Sequence, residues 1–476
     1  MNATLLSLLA PETLLVLLGM ALMLWEAFAS PKPEALGRAA FGGIVAIGLG
    51  ALALPVGDRL LWNDLYIWDD LGLYLKEFFL LSAALTTWIT LQCGGREQVG
   101  TGRAEFYIVP LFATAGMCLL ASVHDFILLF VALELLTVSF YVLVAFRREE
   151  SSGLEAGVKY LVIGAFASAF LVMGIAYVFG FAGSTQFDRV AGMLETRAIP
   201  AGLLFGLFLV VVGLGFKAAA VPFHVWAPDV YQGAPTPVTA FLSVASKGAA
   251  FAVLLRVFDG PFGGTALEGK WTAALGVLAV LSLILGSLAG MPQRNIKRLM
   301  AYAGIAHAGF LLAALAANSK AGHEALLFYL PVYLLSTFPV FLVVALAARV
   351  SGKETIQDFV GLGRRAPLLA WATAVALVSL AGLPPLAGFF AKFLVLFAAW
   401  QSGQYVIVAV GVLSVVAALY YYLAIVRAMF WMEPAVNEPI PLGPGTQALL
   451  WAMMAATAVL GLWVGPLLRL IDRILL

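Results

Sequence analysis

Long apolar runs recur from end to end of this chain, each about as long as a helix that crosses a bilayer, with the polar residues gathered in short intervals between them. Fourteen such segments are read, near 11–29, 38–56, 72–93, 105–122, 124–146, 157–182, 200–222, 236–258, 271–290, 299–317, 324–348, 368–400, 404–430 and 446–470. The pattern predicts an all-α, polytopic membrane protein of about 14 transmembrane helices. Two segments are interrupted. The one at 368–400 is longer than a single crossing requires and contains the run Gly382, Leu383, Pro384, Pro385, which removes backbone donors and breaks a helix. The one ending near 222 carries a similar interruption between Lys217 and Pro222. Two breaks, one in each half and each beside a lysine, suggest an internal structural repeat. Secondary transporters often place paired breaks of this kind at their ion pathway.

Composition agrees with the pattern. The chain is 63% hydrophobic and 11% charged, with a mean hydropathy of +1.00, whereas a soluble domain carries about a quarter charged residues. A net charge of +1 gives no reason to invoke nucleic acid. Cys93 and Cys118 have no ligand spacing, and His124, His224, His307 and His323 are too scattered for a metal site, so no metal is expected. The residues before the first segment, Met1, Asn2 and Ala3, lack a basic stretch, which predicts a retained helix rather than a cleaved signal.

If the N-terminus is periplasmic, fourteen of the Lys and Arg residues in the loops and at the segment ends fall on the cytoplasmic side and eight on the other. That is the direction of the positive-inside rule, and an even number of crossings then makes both termini periplasmic. The loops are too short for a separate soluble core, and no nucleotide loop, cofactor motif or nucleophile constellation is seen. Any redox chemistry is expected on a partner.

The informative residues are ionisable groups inside apolar segments. A charge at mid-helix costs roughly 2.5 kcal/mol or more in hydrocarbon, so a chain that carries several must use them or hide them. Glu134 lies near the middle of its segment, too deep to reach water easily, and needs a cationic partner or a proton. Lys217, one turn before the Pro222 break, is a candidate partner. The alternative is a static buried pair that holds two helices together. Lys247 stands among Ala245, Ser246, Gly248, Ala249 and Ala250, small neighbours that leave room for water. With no acid on its own helix it is suited to lose and regain a proton, although it could also snorkel or pair with a distant acid.

Lys392 follows the second break, where a freed helix end exposes carbonyls; it serves either as a proton carrier or as a cation complementing the helix dipole. Lys159 is near the start of its segment and could snorkel toward the cytoplasm. His307 lies mid-segment, where a histidine can relay protons or simply pack. His224 and Asp229 occupy a Pro- and Gly-rich turn that is either a well-capped loop or an access and coupling point at the cytoplasmic mouth. In chain order Glu134, Lys217, Lys247, His307 and Lys392 are expected to form a row parallel to the membrane plane, along which protons hop through water.

These residues stand in strings with a family resemblance. PFHVWAPDVYQGAPTPVTAFLSVASKGAAF, NIKRLMAYAGIAHAGFLL, GLPPLAGFFAKF and SVVAALYYYLAIVRAMF resemble the subunit N family of proton-pumping NADH–quinone oxidoreductase (complex I). ELLTVSFYVLVAFRR and EAGVKYLVIGAFASAF look like the fifth and sixth helices of that family. The resemblance covers roughly residues 70–432. It implies two inverted five-helix repeats, each with a broken helix, and a division into 1–104 (helices 1–3), 105–258 (first repeat), 259–432 (second repeat) and 433–476 (a loop and the last helix). It also implies that Glu134 and Lys217 are the charge pair of one half-channel, Lys247 the central linking lysine, Lys392 the terminal lysine of the other half, and His307 the intramembrane histidine. By the same resemblance the chain holds no cofactor. Flavin and Fe–S clusters, NADH oxidation and quinone reduction belong to partner subunits, and the chain sits among other membrane-arm subunits in a bacterial inner membrane. An Mrp-like Na⁺/H⁺ antiporter and a purely structural membrane subunit are the competing classes; the turn WAPDVYQGAP argues against the first.

Overall fold

The computed structural model describes residues 10–93, 104–147, 150–196, 199–351, 354–433 and 439–475. Met1, Asn2 and Ala3, the stretch directly after Pro434, and Arg96, Arg103, Arg148, Arg197 and Lys353 of the orientation count lie outside the described residues.

The chain is helical almost throughout. In order come α1 (Pro11–Ala29), α2 (Pro33–Ala51), the strands β1 (Arg59–Leu61) and β2 (Tyr66–Trp68), α3 (Asp70–Cys93), α4 (Glu105–Ala121), α5 (Phe126–Val144), α6 (Ser151–Ala182), α7 (Phe187–Thr196) and α8 (Ala201–Ala218). Next are α9 (Ala227–Gly233), α10 (Thr236–Phe241), a π-helical turn at Leu242–Ser246, α11 (Lys247–Asp259), α12 (Glu268–Gly290), α13 (Ile296–Ala316) and α14 (Lys320–Ser351). The short α15 (Leu362–Arg365) precedes α16 (Pro367–Ala381), α17 (Ala387–Gln401), α18 (Tyr405–Trp431), α19 (Pro444–Leu462) and α20 (Gly465–Ile474).

Eleven spans among the described residues are long and apolar enough to cross a membrane. The other three segments read from the sequence correspond to α3, to α4 and to the pair α16–α17, which is one hydrophobic stretch broken in two. Large apolar side chains face outward on α1 (Leu17, Phe28), α6 (Phe166, Met173) and α18 (Val406, Leu413). Acyl chains solvate such surfaces, and the chain is a multi-pass membrane protein.

Local chemistry sets the helix ends. Proline stands at the first helical position of α1, α2, α16 and α19, where its missing N–H costs nothing. The Asp125 carboxylate accepts from Ile127 N at 2.6 Å to cap α5, and the Asn295 side chain accepts from Arg298 N at 3.0 Å to cap α13. Inside helices, Thr86, Thr90, Thr114 and Thr137 donate to the carbonyl four residues earlier, so their hydroxyls stay satisfied in an apolar medium.

The chain divides into two compact units, residues 1–219 with 233–273, and residues 220–232 with 274–476. In the first, α6 and α8 touch backbone to backbone: a Cβ on Gly174 would lie 2.8 Å from both Gly206 O and Val210 N. Small residues permit that approach, and close packing holds helices together where lipid removes the hydrophobic drive. The antiparallel β1–β2 hairpin pairs Arg59 with Trp68 and Leu61 with Tyr66. In the second unit, α13 and α14 are buried nearly along their length. Backbone bonds from Ile296 N to Glu354 O and from Ile356 N to Arg294 O tie the start of α13 to the segment before α15.

Candidate functional site

The first broken helix ends at Ala218, and Ala219 takes a left-handed conformation (φ +56°). Lys217 sits on the last turn of α8, 4% exposed, and its Nζ makes no hydrogen bond among the described residues. It lies over aromatic faces, 5.6 Å from the Tyr160 ring centre and 5.7 Å from that of Phe216. Glu134 of α5 does not contact it. Its carboxylate instead accepts a short hydrogen bond from Ser168 Oγ of α6, at 2.5 Å. The candidate partners Glu134 and Lys217 form no direct salt bridge among the described residues, and aromatic rings flank the lysine. Tyr141 lines the same α5–α6 groove as Glu134 and packs edge-on against Tyr160 at 5.1 Å, and Tyr160 carries Lys217 on its face. That groove, about 880 Å³, is apolar apart from Glu134, Ser168 and Tyr141.

Lys247 is the first residue after the π-helical turn, in a span that is buried throughout. A π turn displaces side chains from the regular helical register and leaves main-chain groups poorly paired, a feature concentrated at functional positions. Lys247 is 3% exposed, with the buried hydroxyls of Ser243 and Ser246 on the turn before it.

The second break is built differently. Gly382 adopts φ +87°, its N–H bonds Ser379 O, and Leu383 N–H bonds Val378 O, the paired bonds of a Schellman stop. That leaves the carbonyls of Leu380 and Ala381 free, and Lys392 Nζ of α17 donates to both, at 2.7 and 3.1 Å. The same ammonium lies 5.2 Å from the Phe310 ring centre. His307 of α13 has hydroxyls at both nitrogens, Tyr329 at 2.6 Å from Nδ1 and Tyr422 at 3.3 Å from Nε2, with Tyr333 against its ring. A cavity of about 10 Å³, roughly the room one water needs, touches both His307 and Lys392 and is lined by Ser336 and Ser379 as well.

Other residues singled out in the sequence fall elsewhere. Lys159 is 39% exposed along its side chain and pairs with Glu155 at 2.7 Å, one turn away on α6. Asp229, on the short helix α9 that the Pro- and Gly-rich stretch forms, accepts from Arg298 of α13 at 2.5 Å, which fastens the stretch to α13. His224 of the same stretch has a buried Nδ1 without a hydrogen-bond partner. The sequence did not reveal Ser168, Tyr329 or Tyr422 as partners; the triple tyrosine Tyr420–Tyr422 was the only hint. Lys76, inside the segment near 72–93, is fully buried beside Glu12. Lys297 is likewise fully buried, with Glu354 at 2.6 Å. Among the described residues no group of His, Cys, Asp or Glu could hold a metal ion.

Apolar helices that break beside buried lysines, with an acid and a histidine within neighbouring unbroken helices, define a polytopic membrane protein of the antiporter-like class. Residues 123–418 match the family described as NADH:quinone oxidoreductase/Mrp antiporter, TM. NADH-quinone oxidoreductase subunit N of Rhodospirillum rubrum is 41% identical over 464 residues, covering 96% of this chain and 93% of that protein. A chain of respiratory complex I from Thermus thermophilus with bound aureothin overlays with a TM-score of 0.81 at 34% identity, covering 96% of this chain and 98% of that one. A chain of the Mrp complex from a Dietzia species has the same fold, with a TM-score of 0.83 at 22% identity over 98% of this chain and 96% of that one. The chain belongs to the NADH-quinone oxidoreductase subunit N family.

Proposed function

We propose that this chain is the proton-translocating, antiporter-like subunit N of a respiratory NADH–quinone oxidoreductase, coupling electron transfer in its partner subunits to proton movement through its own buried groups. The observation that carries the reading is the siting of three buried lysines at interruptions of the helical backbone: Lys217 at the end of α8, Lys247 after the π turn, and Lys392 on the carbonyls of a Schellman stop. A regular apolar helix offers a cation nothing, whereas freed carbonyls, hydroxyls and aromatic faces let the lysine exist in both protonation states at tolerable cost. Protons pass in the order Glu134, Lys217, Lys247, His307, Lys392. Moving each charge against the membrane potential requires about 2.3 kcal/mol per 100 mV, which the redox reaction supplies from outside this chain.

In this reading the two repeats are 105–258 and 259–432, flanked by helices 1–3 (1–104) and by the last loop and helix (433–476), with fourteen crossings in all. The chain lies in the inner membrane of a bacterium with both termini periplasmic. Its neighbours are other membrane-arm subunits. The peripheral arm with its flavin and Fe–S clusters acts on it indirectly, and NADH and quinone are handled by partners. His224 and Asp229 order the turn at the cytoplasmic mouth, and Lys159 stands at the same side as a surface cation.

The test is Lys247→Ala in the assembled complex. Proton pumping and coupled NADH–quinone turnover fall, while NADH oxidation by an artificial acceptor stays as in the unmodified complex. Full retention of pumping removes the central lysine from the pathway and overturns the reading.

A further inference from the structure

Outside the proposed repeats, a second buried lysine–acid pair is closed off beneath the β1–β2 hairpin. Glu12 is the second residue of α1 and Lys76 the seventh of α3; their side chains are 4% and 1% exposed, and their charged atoms stand 3.5 Å apart. Lys76 Nζ donates to the Tyr66 hydroxyl and lies over two rings, 4.7 Å from the centre of Tyr66 and 4.6 Å from that of Trp68. Among the described residues neither Glu12 oxygen meets a hydrogen-bond partner in good geometry, although the Tyr66 hydroxyl interacts with the carboxylate. The hairpin that closes over them is anchored. Trp68 Nε1 bonds Pro55 O at 3.1 Å, Ile67 N bonds Ser122 O at 2.9 Å, and His124 N bonds Leu65 O at 2.9 Å.

The geometry differs from that of the static ion pairs in the same chain. Arg256 holds Asp69 through two bonds of 2.6 Å and also caps the Ala121 carbonyl. Lys297 meets Glu354 at 2.6 Å. A buried pair that serves only as a brace repays its desolvation through short, well-aligned bonds. Glu12 and Lys76 lack them. The acid and the lysine stand 3.5 Å apart, the lysine is directed toward a phenol, and a phenol both donates and accepts. Burial, reinforced by the Glu12 charge, holds the Tyr66 hydroxyl well above its usual range, so it stays neutral and able to hand a proton on.

We propose that Glu12 and Lys76, with Tyr66 of the hairpin above them, form an additional proton-carrying site of this subunit. The inference rests on the reading of the chain as a proton translocator. In the step an N–H bond of the Lys76 ammonium breaks, its electron pair stays on Nζ, and an O–H bond forms on Glu12. The pair passes from one positive and one negative charge to two neutral groups. Glu12 then releases the proton to water at the hairpin side and Lys76 takes another from the interior, so one proton has moved and the pair is as it began.

The experiment compares Glu12→Gln, Lys76→Met and the double variant in the assembled complex, with Lys247→Ala as the reference. Assembly is read by co-migration on native gels, pumping by a pH-sensitive dye in vesicles, and partner integrity by NADH oxidation with an artificial acceptor. The expected result is assembly and acceptor activity unchanged, pumping lowered about a hundredfold or more in each single variant, the order of loss for a missing proton-transfer group, and no recovery in the double. A static pair gives the opposite: singles that fail to assemble and a neutral double that assembles and pumps fully, which overturns the proposal. Normal pumping in the singles overturns it too. Should none of the three assemble, Glu12→Asp decides, since it keeps the charge but shortens its reach; reduced pumping supports the relay and unchanged pumping refutes it. If Lys247→Ala also pumps normally, the fault lies in the reading of the whole pathway rather than in this pair alone.

Discussion

Lys392 Nζ donates to the carbonyl of Leu380 at 2.7 Å, across the break that separates α17 from α16. The ammonium thus completes the end of the preceding helix, and the stop itself frees the carbonyls it uses. Gly382 makes this possible. Its φ of +87° is costly for any residue with a Cβ, and a Cβ there would stand 2.9 Å from Lys392 Cδ. Gly382→Ala is expected to cost about 1–2 kcal/mol in backbone conformation alone and to push Lys392 off its carbonyls. The check is thermal stability of the purified complex together with pumping, both lowered.

The hydroxyl on His307 Nδ1 sits at 2.6 Å and the one on Nε2 at 3.3 Å, so the two tyrosines contribute unequally. Tyr329→Phe leaves a buried ring nitrogen without its close partner, a loss of about 1–3 kcal/mol, and is expected to lower pumping and shift its pH profile. Tyr422→Phe is expected to do less. Pumping measured across pH in both variants checks the order.

Ser168 supplies the only hydrogen bond to Glu134 among the described residues, and it goes to a carboxylate. Hydrogen bonds to charged groups are worth about 1.5–3 kcal/mol. Ser168→Ala is therefore expected to reduce pumping partially and Glu134→Gln to reduce it more, with NADH oxidation by an artificial acceptor unaffected in both. Equal and full pumping in the two variants would remove Glu134 from the path.

Replacing Na⁺ by K⁺ in the vesicle medium is expected to leave pumping unchanged. The groups of the proposed paths are lysines, a histidine, tyrosines and two well-separated glutamates, Glu12 and Glu134, whereas a sodium ion is held by several oxygen ligands. A strict sodium requirement would favour the ion-exchanging antiporter class over the proton pathway.

Asp229 and Arg298 meet at 2.5 Å and join the turn before α10 to α13. Both are about one-third exposed, so the pair is worth little as a stabilising contact, on the order of 0–1 kcal/mol. Asp229→Ala is expected to leave complex assembly intact, as checked by native gel, and any loss of pumping then reports on the ordering of the turn.

The sequence by itself determined the class of this protein and two of the places where its helices break, but carried no sign of the π turn before Lys247. Apolar length specifies a span. Proline removes a backbone donor at 222 and 384–385, yet Pro110, Pro331 and Pro339 stay inside helices, so the sequence marks where a helix can break rather than where it does. It also located every lysine of the proposed row, because a cation within an apolar run stands out at once.

Only the tertiary structure decided what each group touches. Glu134 and Ser168 are 34 residues apart, His307 and Tyr422 are 115 apart, and Asp69 and Arg256 are 187 apart. No periodicity within one helix encodes such pairings, since they depend on which face each helix turns to its neighbour. The same reason separates two lysines that look alike in the sequence. Lys159 faces outward and pairs with Glu155 on its own helix, while Lys76 turns inward under a hairpin and meets Glu12 from another.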